Sequence, residues 1–156
     1  MKSILNDSKK LIKFTGIACV ALALALPAQA LVSTESIIKR TLALVGVVED
    51  RDYQVLLCQV DNVRSDQRSS QTYTLEAGET YKILAIGDAA RVSDIDLEVL
   101  DENGNSIGKD DDEQNIAEVT ITPKWSGRFK FVVDPYRMIG GASDAFFSLV
   151  VARKAN

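Results

Sequence analysis

The chain of 156 residues contains no histidine, only two cysteines, three prolines and one tryptophan. Without histidine there is no Ser-His-Asp or Cys-His catalysis, no His-ligated zinc and no imidazole pH switch. Its longest apolar run, Gly16 to Leu26, is eleven residues, well short of the roughly 20 that span a bilayer. Positive charge is also in deficit, with 18 Lys and Arg against 22 Asp and Glu, a net −4.

The first thirty residues read as a secretory signal peptide. Lys2, Lys9, Lys10 and Lys13 precede the apolar run, Pro27 breaks it, and Ala28-Gln29-Ala30 supplies the small-x-small cleavage site. Cys19 lies near the start of the apolar run rather than after it, which argues against a lipidated cysteine. Cleavage after Ala30 removes four lysines and one aspartate and leaves 14 basic and 21 acidic residues, a net −7. So acidic a surface is repelled by nucleic acid and by anionic lipid and is compatible with cations. The expected location is periplasmic or extracellular, with no membrane span after cleavage. One cysteine then remains, Cys58, so no intramolecular disulfide can form, and its apolar strand predicts a buried thiol.

Residues 34–48 are the one candidate helix. Ser33 or Thr34 can cap it, and Ile37, Ile38, Thr41, Leu42 and Val45 share a face. Gly46 can end it, and the β-branched pair Val47-Val48 favours extended backbone. The helix would cover an open end or edge of whatever follows, or else offer a docking face to a partner. The cluster 49–52 separates it from the rest, giving a helical segment and linker at 31–52 and a β domain at 53–156.

From Tyr53 the hydrophobic period changes to two. Strands are predicted at 53–60, 72–76, 81–86, 94–100, 106–109, 117–122, 128–134 and 146–152, with a polar loop over 61–71. Asn103-Gly104 is a type I′ hairpin signal. Short antiparallel strands at this spacing predict an all-β sandwich. Alternation puts Ile95, Leu97, Val99, Val119, Ile121, Phe129, Phe131 and Val133 inside, and Asp94, Asp96 and Glu98 outside.

Residues 71–152 carry a series of elements in a recognisable order. They are Glu76-Ala77-Gly78 running into Tyr81, then Asp94-Ile95-Asp96-Leu97 followed by Asp101-Glu102-Asn103-Gly104. An acidic loop, Asp110 to Glu113, comes next. The strand Glu118 to Ile121, the turn Ser126-Gly127-Arg128-Phe129 and the closing strand Phe147 to Val151 complete the series. This order resembles the bacterial pre-peptidase C-terminal domain family. The resemblance implies a jelly-roll-like sandwich in a secreted protein, an accessory module rather than a catalyst. It also implies calcium binding or attachment to extracellular polymers such as collagen, as in some members.

Three constellations are candidates for function. Asp101, Asn103, Asp110 and Asp112 offer hard oxygens for calcium, the one candidate cofactor, although the same acids also read as a solvated turn and a solubilising loop. Asp101, Asn103, Asn105 and Asp112 match EF-hand loop positions, but Ser106 stands where that loop needs glycine, and no helices flank it. Trp125, with Tyr136 and Arg137, could form a ligand surface for a sugar or peptide; the alternative is a ring folded over the sandwich edge. Asp94 and Asp96, about 7 Å apart on one strand face, have the spacing of a glycosidase pair, though any exposed strand bearing Asp-x-Asp has it. The leading expectation is a non-catalytic binding module for a protein or polysaccharide. The alternatives are an assembly partner docking through the helix, and a glycosidase.

Overall fold

The structure, a computed structural model, describes residues 28–155. The candidate signal peptide lies outside the described residues except for the backbone of Ala28 to Ala30. One helix, α1 (Ala28–Glu49), precedes eight strands. These are β1 (Tyr53–Arg64), β2 (Ser69–Leu75), β3 (Tyr81–Gly87), β4 (Val92–Leu100), β5 (Ser106–Asp110), β6 (Ile116–Ile121), β7 (Gly127–Met138) and β8 (Asp144–Lys154). They form two antiparallel sheets, ordered β1-β8-β3-β6 and β2-β7-β4-β5. The pairs β1·β8, β2·β7, β3·β6 and β4·β5 are all present. A long hairpin of four strand pairs wound on itself in this way is an eight-stranded jelly roll.

The inward residues are those the alternation predicts. Ile95, Leu97, Val99, Phe129, Phe131 and Val133 are at most 1% exposed, and Val119 and Ile121 join them between the sheets. Gly108 of β5 is inward too. A Cβ there would stand 2.6 Å from Val119 Cγ1, so only glycine lets β5 lie this close to β6.

β3 is buried at every position, because its sheet is covered on both faces. The outer cover is α1. Ile37 and Val48 pack on Leu84, Ile86, Val150 and Ala152. The buried Thr41 hydroxyl bonds Ser148 Oγ at 2.5 Å. Arg40 donates to Gly87 O at 3.0 Å and to Asn115 Oδ1 at 2.6 Å. Several expectations are corrected here. The helix covers a sheet face, not an end or edge, and Ile37 and Val48 share a core with β3 and β8. It begins before Ser33 and Thr34, so neither caps it, and it passes through Gly46. Val47 and Val48 stay helical because burying Val48 against the sheet outweighs β-branched preference.

The loop expected over 61–71 is mostly strand. β1 runs to Arg64 and β2 starts at Ser69, with Gln67 N bonding Arg64 O at 3.1 Å in the turn. Both are edge strands, and an edge tolerates polar residues on its solvent side. Cys58 is exposed, not buried. The register shifts between Val55 and Leu57, which upsets the simple alternation that placed the thiol inside.

The β4–β5 turn also differs from its type I′ expectation, which needs positive φ at both central residues. Gly104 has φ 83°, whereas Asn103 does not have positive φ. Gly104 N bonds Asp101 O at 3.1 Å and Asp101 N bonds Asn105 O at 2.9 Å, giving a longer loop closed by a left-handed glycine. Asp101 selects this form. Its carboxylate accepts from Asn103 N, Asn105 N and Asn105 Nδ2 at 2.7 to 2.9 Å.

Candidate functional site

Among the described residues no helix lies on the outer face of β2-β7-β4-β5. Along β7 the outward residues are Arg128, Lys130, Val132, Asp134 and Tyr136, by strand alternation. β4 runs beside it, with Leu100 opposite Lys130, Glu98 opposite Val132, Asp96 opposite Asp134 and Asp94 opposite Arg137. Three hollows follow this pair of strands. The first, about 390 Å³, is lined by Asp101, Glu102, Arg128 and Lys130. The second, about 150 Å³, lies between Arg68, Glu98, Lys109 and Asp134. The third, about 340 Å³, is lined by Asp94, Asp96, Lys109, Asp111, Glu113 and Tyr136. Charge is therefore graded along the face. Arg128 and Lys130 hold one end and make no ion pair among the described residues. Carboxylates crowd the other end.

Asp94 was expected outside. It does point away from the core, yet it is only 2% exposed. The β5–β6 loop folds against β4, with Ile95 N bonding Gln114 O at 2.8 Å, and register shifts flank Asp94 on both sides. Asp94 Oδ2 lies 3.9 Å from Arg137 Nη2, while its Oδ1 is buried with no hydrogen-bond partner among the described residues. Burial raises the Asp94 carboxyl above its ordinary range, Arg137 opposes this, and Glu113 and Asp112 add to it. Asp96 is also raised, by burial first and then by Asp94 and Asp134. Two local pairs partly neutralise the cleft, Lys109–Asp111 at 2.8 Å and Arg137–Glu113 at 3.5 Å.

The expected calcium ligands are not brought together. Asp101 and Asn103 lie in the turn before β5, and Asp110 and Asp112 at its far end, a strand length of about 13 Å. Asp101 is committed to its own turn. Asp110 accepts from Glu118 N at 2.7 Å, and Asp112 accepts from Gln114 Nε2 at 3.0 Å. Among the described residues no three Asp, Glu or Cys side chains are placed to hold one metal ion.

Trp125 and Tyr136 do not form one surface either. They flank opposite ends of β7, about 30 Å apart. Trp125 is 38% exposed and packs on Phe129 with ring centroids 5.8 Å apart, so the ring lies partly folded over the sandwich edge. Tyr136 is 67% exposed and joins the acidic cleft, as does Arg137 through its ion pairs. The basic end, Arg128 and Lys130, was not singled out from sequence. Its signal is the alternation of β7: with Phe129 and Phe131 inside, both basic residues face out, but alternation does not mark them as neighbours of a hollow. Asp94 and Asp96, the glycosidase alternative, do share the cleft.

The fold thus defines a jelly-roll sandwich with one outer face covered by its own helix and one left open among the described residues. No protein-family model matches the chain, and no curated protein matches it. Among solved structures, it is similar to Aeromonas hydrophila PliG, a periplasmic lysozyme inhibitor of g-type lysozyme. The TM-score is 0.48 and the identity 15%, over 63% of this chain and 85% of that one. A likeness at that level transfers no ligand and no residue role.

Proposed function

We propose that the chain is an exported, non-catalytic binding module that receives a protein partner on the open face of β2-β7-β4-β5. The observation that carries this reading is the contrast between the two outer faces. One is buried under α1, whereas the other is uncovered among the described residues, hollowed and lined by charges left partly unmatched. A charged open face steers and orients a partner of complementary charge. The family resemblance at residues 71–152, with its accessory role, agrees with this reading.

Charge reversal tests it. Arg128→Glu with Lys130→Glu should abolish retention of a stoichiometric partner from envelope or culture fractions, with an unchanged melting temperature. Retention unaffected by the double reversal would move the binding surface elsewhere. Hydrolysis of a glycan that disappears in Asp96→Asn would replace this reading with the enzyme one.

A second reading places a polysaccharide at the edge where β5 and β6 meet. Trp125 there borders a hollow of about 460 Å³ with Ile107, Thr120 and Thr122. Loss of polysaccharide retention in Trp125→Ala, with the Arg128 and Lys130 reversals silent, would favour it.

A further inference from the structure

Two observations coincide in the cleft at the acidic end of the open face. The first is chemical. Asp94, Asp96, Asp111 and Glu113 face one lysine across it, and Lys109 is already paired with Asp111. The second is structural. Asp94 is 2% exposed and carries an oxygen without a hydrogen-bond donor. A buried carboxylate oxygen left unmade is costly, because desolvation is not repaid by a bond. The chain's own cation, Arg137, reaches only 3.9 Å from the other oxygen, beyond hydrogen-bond distance, and divides itself between Asp94 and Glu113.

We propose that this cleft is a receptor for a guanidinium group, the side chain of an arginine on a protein partner. A metal ion is disfavoured because no three carboxylates there converge on one point. A guanidinium needs no such convergence. Its planar fork donates to spaced carboxylate oxygens, and its face stacks on an aromatic ring. The exposed ring of Tyr136 supplies that wall. The incoming group displaces Arg137 from Asp94 and leaves it with Glu113. Arg137 is thus a built-in competitor, which a purely structural ion pair would not be. The identity of the partner's group rests on the open face being a binding surface, but the cleft can be tested without any partner.

The probe is a capped Gly-Arg-Gly peptide titrated into the isotope-labelled protein and followed by NMR. The controls are the same peptide with uncharged citrulline for arginine, and calcium chloride alone. The arginine peptide should shift the amides around Asp94, Asp96, Glu113 and Tyr136 with millimolar affinity, and the citrulline peptide should not. Asp94→Asn should weaken binding about tenfold, as loss of a charge-assisted bond does. Tyr136→Ala, at an exposed position that leaves the core intact, should weaken it about threefold. Arg137→Gln should strengthen it, because the competitor is gone. Equal binding of citrulline, full binding in both Asp94→Asn and Tyr136→Ala, or weaker binding in Arg137→Gln would overturn the proposal. So would calcium alone saturating the same amides. A silent titration overturns the guanidinium cleft alone, since the Arg128 and Lys130 reversals test the open face separately.

Discussion

Ile37 and Leu42 are expected on one face of α1, but the structure buries the first and exposes the second, and the contrast between them decides whether this helix is core or docking device. Ile37 is 1% exposed and packs with Leu84, Ile86 and Val150, whereas Leu42 is 62% exposed. Truncating Ile37 to alanine removes three buried carbons and leaves a cavity beneath a helix already fixed by Thr41 and Arg40. Such substitutions cost about 2–5 kcal/mol, and about 3 is expected here. With an unfolding entropy of about 2.1 cal/mol/K per residue, a domain of this size loses about 11 °C of melting temperature. Leu42→Ala should change stability by under about 0.5 kcal/mol, since it buries nothing and alanine favours the helix. Thermal melts by circular dichroism at matched concentration make the comparison. If Ile37→Ala melts within 2 °C of the parent, taking that as roughly the error of such melts, α1 is not part of the core. The reading in which it docks a partner would then return. Loss of a partner in Leu42→Ala at unchanged stability would show the exposed pair Ile38 and Leu42, one turn apart, at work.

Leu97→Asp should unfold the domain, because it buries an unpaired charge where nothing can match it; Asp96→Asn, on the other face, should melt at or slightly above the parent. Gly108→Ala should cost about 1–3 kcal/mol through overpacking against Val119, visible in a denaturant titration. Millimolar calcium should leave the melting temperature unchanged, because Asp101 and Asp110 stand at opposite ends of β5; a rise of several degrees would mean that a rearranged loop binds the ion. Asp101 and Asp94 should act in opposite directions on the pH profile. Hydrogen bonds, led by the Asn105 side chain, hold Asp101 below its ordinary range, so its contribution is present above the unfolded value and lost as pH falls through the folded one. Burial raises Asp94, so the native state keeps its proton longer and stability falls as pH rises from the ordinary value through the raised one. Melts from about pH 3 to about pH 7 should therefore show a smaller acid loss in Asp101→Asn and no high-pH loss at this site in Asp94→Asn.

What the sequence made legible was the part that depends on period and local chemistry. Ile95, Leu97, Phe129 and Phe131 were placed inside because each alternates with a charged or polar neighbour. The eight strands were found because Gly, Asn and Pro punctuate them. The ends of β1 and β2 were missed because polar edge residues look like loop until their partners Phe147 and Val133 are known. The fate of α1 was missed because an apolar stripe says that a helix is covered, not by what. The candidate calcium set is split for a related reason. Adjacency in sequence suggested one loop, while β5 holds the two halves apart.

The Asp94 cleft was half-legible, and the missing half is instructive. Asp94-Ile95-Asp96 announces two carboxylates on an outer face, and alternation makes both of them solvated. Burial of Asp94 requires the β5–β6 loop to fold back and bond Ile95 N, together with register shifts that alternation cannot express. A fold that needed only a stable strand would place asparagine or serine at such a position, since either avoids a desolvated charge. Retaining a carboxylate there, one oxygen unbonded and the nearest guanidinium 3.9 Å from the other, keeps a standing electrostatic demand in the free protein. The proposed guanidinium meets that demand once Arg137 is displaced, which is why the stability of Asp94→Asn and its affinity for the arginine peptide should move in opposite directions.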